Sequence, residues 1–407
     1  MIRFSSFRCA FGARPAWAAV SLLFLFENAL LQAASPSDIG IQILPTKADG
    51  FDPIIPQQIQ DYLAKELTIW DIQARAIPGP IQVMTVLKKV NEDQLRLVAE
   101  IYSKQKGKPI LRRAFLAPKS HLNALLHRVM NVISKSISGH ETPASKPLLL
   151  VQDFPSGVSE IVMASPEGGE IKPITQHGTK TLAPTAVRSN RFAYITYLAG
   201  PPQIWGMDLI NHKARRIFAS DTWTPSRPAL SPDGKTIAFG ACDHHGLEAI
   251  GLVDWETGKT RLLTPFGICH RMPSWSPDGT RIAFVTGETK ADTLVVKTLD
   301  GVEEYRLSLS AEELLDPAWS TDGQNLAYVF RAPSGESCLR LLNLTSQTDR
   351  AFLCSMDRIE SPRWSPQGPW IAISKNGCNP QLVNTETGKC HPLTEGSAIC
   401  HTPRWVW

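Results

Sequence analysis

Short apolar runs recur at an even beat through the second half of the chain. Ile237-Ala238-Phe239, Ile282-Ala283-Phe284-Val285, Leu326-Ala327-Tyr328-Val329 and Ile371-Ala372-Ile373 each follow a phrase of proline, serine, aspartate and glycine. The phrase is Pro228-Ala229-Leu230-Ser231-Pro232-Asp233-Gly234. It returns as Pro273-Ser274-Trp275-Ser276-Pro277-Asp278-Gly279, as Pro317-Ala318-Trp319-Ser320-Thr321-Asp322-Gly323, and as Pro362-Arg363-Trp364-Ser365-Pro366-Gln367-Gly368. The leading prolines stand 45, 44 and 45 residues apart. The apolar runs are strand-sized, and Ser-Pro-Asp-Gly is turn chemistry: proline presets φ, aspartate bonds the local backbone and glycine accepts a positive φ. A second apolar run follows, as at Ala249–Val253 or Leu294–Val296. A hairpin turn comes next, at Thr257-Gly258, Asp300-Gly301 or Thr387-Gly388, and then a closing strand such as Arg261-Leu262-Leu263-Thr264.

Four antiparallel strands in each period of about 40–45 residues predict a β-propeller blade. Second-strand signals stand near Leu148, Phe192, Ile237, Ile282, Leu326 and Ile371, which counts six blades. Residues 147–407 are close to six such periods. The tail Pro403-Arg404-Trp405-Val406-Trp407 reads as a first strand, and the unit opening at Leu148 lacks one. The tail is therefore expected to complete that unit and close the ring, which removes free sheet edges. An open solenoid of the same repeats would leave both ends exposed. Trp275, Trp319, Trp364 and Trp405 recur at one strand position and read as packing between neighbouring blades rather than as a ligand platform.

Residues 34–146 do not follow the repeat. Ile39–Leu44 alternates like a strand. Pro56 opens a helical pattern with Ile59, Tyr62, Leu63 and Leu67 at helical spacing. Ile81–Leu87, Leu95–Tyr102 and Ile110–Leu116 read as strands. Ser120 is placed to cap a second helix carrying Leu122, Leu125, Leu126, Val129, Ile133 and Ile137, with Gly139 ending it. The expected fold class is thus mainly β, a six-bladed propeller preceded by a small α/β domain. His140–Pro147 is the linker.

Arg3, Arg8 and Arg14 precede the apolar stretch Ala16–Phe26, and Ala33-Ala34-Ser35 follows. That order is a secretory signal peptide over residues 1–33. Glu27-Asn28 cuts the run short of a membrane span. Removing three Arg and one Glu lowers the formal charge from +4 to +2. So near-neutral a chain gives no support for a nucleic-acid or acidic-polymer binder.

Cys9 leaves with the leader and seven cysteines remain. Cys338 and Cys354 flank the turn Thr345–Thr348 symmetrically and are expected to face each other as a disulfide. Cys242–Cys269 and Cys378–Cys400 are expected as two further bridges, with Cys390 left over. An exported chain can oxidise them.

The chain contains no Gly-x-Ser-x-Gly elbow, His-Glu-x-x-His or phosphate loop. Cys242-Asp243-His244-His245 has metal-ligand residue types but not zinc spacing, so a solvated polar loop is the expectation; no metal and no cofactor are expected. The connections from each fourth strand to the next first strand gather on one face around the channel. They bring Trp223, Thr224, Ser226 and Arg227 together with His270, Arg271, Asp316, Glu360 and His401. Exposed Trp and Arg are typical interface anchors, and the plainer reading of the group is rim decoration.

The leader, the small α/β domain, the linker, the repeats of Pro-x-Trp-Ser-Pro-Asp-Gly type and the closing Pro-Arg-Trp together resemble the TolB family of the Tol-Pal system. The repeat phrase alone also occurs in the propellers of prolyl peptidases. The resemblance implies a non-enzymatic periplasmic adaptor that binds the lipoprotein Pal at its channel face, through loops falling at Trp223–Arg227 and Cys269–Arg271. It supports outer-membrane integrity and constriction at division. It also implies a TolA contact through the extreme N-terminus. Only Ser35-Pro36-Ser37-Asp38 stands between the leader and Ile39, which weighs against that contact. The alternatives are a propeller enzyme or regulatory subunit of a secreted peptidase, and a periplasmic ligand-binding propeller. An enzyme would need acid, base or metal groups converging in the channel.

Overall fold

The computed structural model describes residues 41–406 apart from 49–50, 52–53, 70–80, 104–108, 119–121, 140, 144–145, 165–170, 187–189, 268, 289–290, 310–312 and 394–398. The leader, Ser35–Asp38 and the proposed cap Ser120 lie outside the described residues. Among the described residues no helix is long and apolar enough to cross a membrane.

The N-terminal part forms β1 (Ile41–Ile43), β2 (Lys47–Ala48), α1 (Ile54–Ile69), β3 (Ile81–Lys89), β4 (Gln94–Ser103), β5 (Leu111–Pro118) and α2 (Leu122–Ser138). Strands β1 and β2 both pair parallel with β3, and β3-β4-β5 run as an antiparallel meander. Sequence reading misses β2, which is two residues long and carries no periodicity. Helix α1 starts two residues before Pro56, because proline is tolerated in a first turn, where its missing N–H has no partner to lose. Helix α2 buries Leu125, Leu126, Val129, Met130, Ile133 and Ile137 against Ile59, Leu63, Val83, Leu97 and Ile101. Each such side chain contributes roughly 1.5–3 kcal/mol by leaving water. Gly139, at φ 84°, ends the helix in the left-handed region.

The remaining described chain is mainly β and builds six four-stranded antiparallel sheets. Sheet 1 joins Ile399–Trp405 to Leu148–Asp153, Ser159–Ala164 and Lys172–Pro173. Sheet 2 is Thr181–Ala186, Arg191–Thr196, Gln203–Asp208 and Ala214–Phe218. Sheet 3 is Trp223–Leu230, Thr236–Asp243, Glu248–Asp254 and Thr260–Leu262. Sheet 4 is Cys269–Trp275, Arg281–Glu288, Ala291–Thr298 and Glu303–Ser308. Sheet 5 is Glu313–Trp319, Asn325–Arg331, Ser337–Asn343 and Thr348–Ser355. Sheet 6 is Ile359–Trp364, Trp370–Lys375, Cys378–Asn384 and Cys390–Pro392.

Apolar clusters join each sheet to the next, and the last to the first. Phe192, Tyr194 and Met207 meet Leu149 and Ile161; Leu148 and Trp405 meet Trp370 and Leu382. The tryptophans also lock neighbours together. Trp275 Nε1 donates to Ala229 O at 2.9 Å, Trp319 to Ser274 O at 3.1 Å and Trp405 to Arg363 O at 3.3 Å. The Trp364 indole N–H, at the same strand position, has no acceptor among the described residues.

The turn phrase acts as its chemistry suggests. Asp233, Asp278 and Asp322 each accept an N–H two residues on, at 3.0, 3.0 and 2.9 Å. The fourth phrase has Gln367 where the others have aspartate. Its Nε2 reaches out to Glu141 Oε2 at 2.7 Å and ties this turn to the linker.

Cys338 and Cys354 stand opposite in register and form a disulfide. The other expected bridges are corrected by the structure: Cys242, Cys269, Cys378 and Cys400 are free thiols, as is Cys390. The Cys269 thiol donates to Glu248 Oε2 at 2.6 Å instead. Cys242 donates to its neighbour's Asp243 O. Cys400 is buried against Leu150, Val162 and Ala164 of its own sheet, while Cys378 lies on sheet 6.

Candidate functional site

The six inner strands share one irregularity, and it shapes the channel. Ala183, Arg227, Met272, Asp316, Ser361 and Thr402 all have positive φ, between 46° and 59°. Each is followed by proline, and in every inner strand the register with the second strand shifts there. The cause is local. Proline has no N–H to give to the ladder, so the strand bulges and the preceding residue turns over. A non-glycine residue pays steric strain of about 1–2 kcal/mol in that conformation, and here it is paid six times at one height of the ring.

The residues expected in loops on the channel face are strand residues instead. The inner strands that carry them begin three to five residues ahead of the bulge proline, at Trp223, Cys269, Glu313, Ile359 and Ile399. The structure brings together Arg227 and Asp316, whose Nη1 and Oδ1 lie 3.0 Å apart across the channel. Asp316 is 4% exposed, and its Oδ2 accepts the Ser361 N–H at 3.0 Å. Burial alone would raise this carboxyl. The guanidiniums of Arg227, Arg363 and Arg404 outweigh burial and hold Asp316 below the ordinary carboxylate range.

The other candidates are dispersed. Arg271 Nη2 pairs with Asp292 Oδ2 at 2.6 Å, and the same oxygen accepts the Leu314 N–H at 2.8 Å, so this pair stitches sheet 4 to sheet 5. His270 is buried, edge-on to Phe284. His401 Nε2 meets Asp153 Oδ2 at 3.2 Å. Glu360 meets Arg358 at 3.4 Å. Trp223 stacks near Phe218 and Phe266. Ser226 Oγ donates to Gly240 O. Thr224 is exposed. In the Cys242–His245 segment, Asp243 Oδ1 accepts the N–H groups of His245 and Leu247, both at 2.9 Å, so the carboxylate closes its own turn.

Two residues further along each inner strand lies a second level, Thr185, Ala229, Ser274, Ala318, Arg363 and Arg404, bordering a cavity of about 230 Å³. The edges of Trp275, Trp319, Trp364 and Trp405 wall it, and it reaches the half-exposed turn prolines Pro232 and Pro277. Arg404 is 7% exposed. Arg363 and Arg404 each donate one hydrogen bond, to the carbonyl of the proline just before, at 2.6 and 2.8 Å. Neither forms an ion pair among the described residues, since Asp316 is taken by Arg227. Burial pushes Arg363 down to about 10, with Asp316 opposing and Arg227 adding to the fall. Burial and then the Arg363 charge push Arg404 well below its ordinary value. In the sequence both residues stand inside the repeat phrase, and the sequence pattern does not mark them as a site. The available signal was that the residue between proline and tryptophan is small in the earlier repeats and arginine in the last two.

No family model matches the chain. A TolB homolog from Chlorobium luteolum is 26% identical over 198 residues, which cover 47% of this chain and 43% of that protein. The uncharacterized peptidase YuxL of Bacillus subtilis is 25% identical over 151 residues, 37% of this chain and 21% of its own length. The crystal structure of TolB from Acinetobacter baumannii superposes with a TM-score of 0.76 at 18% identity, covering 90% of this chain and 96% of that one. The chain thus spans less than half the length of the curated relatives it matches. It is TolB-like: in fold across nearly its whole described length, and in sequence across about half of it.

Proposed function

We propose that this chain is a periplasmic adaptor of the Tol-Pal type, without enzymatic activity, that binds the peptidoglycan-associated lipoprotein Pal and thereby supports outer-membrane integrity and constriction. In this reading residues 1–33 are a signal peptide, 34–146 a small α/β domain ending in the linker, and 147–407 a six-bladed propeller whose blades are the six sheets. The observation that carries the reading is the TolB-like order of both parts over the described chain. The Pal surface is the channel mouth above the proline bulges, with Trp223, Thr224, Ser226, Arg227, Asp316, Glu360 and His401 on its inner strands, and His270 and Arg271 supporting it from within sheet 4. Exposed Thr224 and half-exposed Trp223 offer an aromatic and polar rim of the kind interfaces use.

The test is capture of an outer-membrane lipoprotein from envelope extract of the same organism. The protein is compared with a Thr224→Arg, Glu360→Lys variant, which adds bulk and positive charge at the mouth without touching buried groups. Capture lost in the variant supports the reading. Equal capture by both keeps the adaptor and moves its surface elsewhere. No lipoprotein with either overturns it.

The likeness to a peptidase favours a second reading, a propeller that accompanies a peptidase. Co-purification of fluorogenic-peptide hydrolysis with the captured material would favour it over the adaptor.

A further inference from the structure

The lower half of the channel holds a charge that the protein itself does not balance. Three guanidiniums, Arg227, Arg363 and Arg404, surround one carboxylate, Asp316, and that carboxylate is bonded to Arg227 and to the Ser361 N–H. Asp316 and Arg227 stand one level above Arg363 and Arg404, and all four line a small pocket between the levels. Below that level the remaining N–H groups of both arginines have no protein acceptor among the described residues, and both side chains border the cavity of about 230 Å³. A buried, unpaired cation is costly, and such cost persists in folded proteins mainly where a site uses it. Guanidinium forks are suited to planar or tetrahedral oxyanions. The walls around them are mixed, with Thr185, Ser274 and Ser320 among apolar side chains. The apolar part is four tryptophans together with Pro228, Pro273 and Leu230.

We propose that this lower vestibule is a binding site for a small organic anion: a carboxylate or phosphate on an aromatic or apolar body, its anion held by Arg363 and Arg404 and its body against the tryptophans. The volume is below that of a site for a drug-sized ligand, roughly 300–1,000 Å³, so one ring and its acid group suit it better than a longer molecule. The linker also sits at this end of the ring, with Glu141 bonded to Gln367 in the sheet 6 turn. That favours a small molecule over a globular partner. The site is distinct from the channel mouth and stands whether or not the adaptor reading does.

The experiment is titration of the whole protein, followed by tryptophan fluorescence and by calorimetry, with four probes. Indole-3-acetate and phenyl phosphate carry both features, indole-3-acetamide lacks the charge, and inorganic phosphate lacks the body. Saturable binding of either aromatic acid, with the amide and inorganic phosphate at least about tenfold weaker, is the expected result. The tighter of the two acids then assigns the anion class. The Arg404→Gln and Arg363→Gln variants should each weaken that binding by about tenfold or more, while thermal unfolding shows them folded. Arg404→Lys tests whether the fork, and not charge alone, is needed. Equal binding of acid and amide, unchanged affinity in both glutamine variants, or no saturable binding at all would overturn the proposal.

Discussion

The two levels of the channel lie two residues apart on the same inner strands, yet they treat charge in opposite ways. At the upper level Asp316 is buried with a guanidinium 3.0 Å away and a backbone N–H on its other oxygen. At the lower level the half-buried Arg363 and the buried Arg404 have only the carbonyls of their own prolines. The first is a satisfied polar group, which rigidifies what it touches. The second is two guanidiniums without an ion-pair partner among the described residues; burial lowers the basicity of both, Arg227 adds to the fall of Arg363, and Arg363 adds to that of Arg404. The contrast shows that a repeated backbone need not carry a repeated energetic role. One proline bulge, made six times, supports a structural tie at one height and an open demand for an anion at the next.

The largest effect is expected where the satisfied level is broken. Asp316→Asn leaves three guanidiniums without a carboxylate and should lower unfolding stability by about 3–5 kcal/mol, read from urea denaturation. If the loss is under about 1 kcal/mol, the carboxylate does not balance the channel and the contrast fails. Titration gives the same test without that variant. The carboxyl of Asp316 is held below its unfolded value of about 3.9, so its contribution is complete above that pH and is lost as pH falls through the lower folded value. The gap in stability between the wild type and Asp316→Asn should therefore narrow as the pH is taken below about 4.

Arg227→Gln should cost less, about 1 kcal/mol, because its side chain is 41% exposed and water screens the pair. The smallest effect, and the one of opposite sign, belongs to the lower level. Arg404→Gln removes a buried charge that has no ion-pair partner, so stability should hold or rise, by up to about 1 kcal/mol. A loss as large as that of Asp316→Asn would mean that Arg404 is a structural tie, and the two levels would then be alike.

Much of this was legible along the chain. The helical period of Leu125, Leu126, Val129, Ile133 and Ile137 identifies one buried face, and those residues are buried on α2. The Ser-x-Asp-Gly phrase names its turns, because those hydrogen bonds close within five residues. The flanks of Thr345–Thr348 are enough to place Cys338 opposite Cys354. Each of these depends on neighbours in sequence. The wrong bridges, Cys242–Cys269 and Cys378–Cys400, and the dispersed Arg271 and His270 all depend on which way a side chain leaves its strand. The bulge before each proline resets that direction, and nothing in the local pattern announces it.

The amino-acid sequence by itself determined the strand units, their turns, the one disulfide and the amphipathic helices, since local propensity and short-range hydrogen bonds decide those. Only the tertiary structure decided that residues about 90 apart, Arg227 and Asp316, become partners, and that Arg363 and Arg404 do not find one. Ring closure sets those distances. It brings inner strands of different sheets around one channel, where side chains come within reach of each other whatever their separation in sequence.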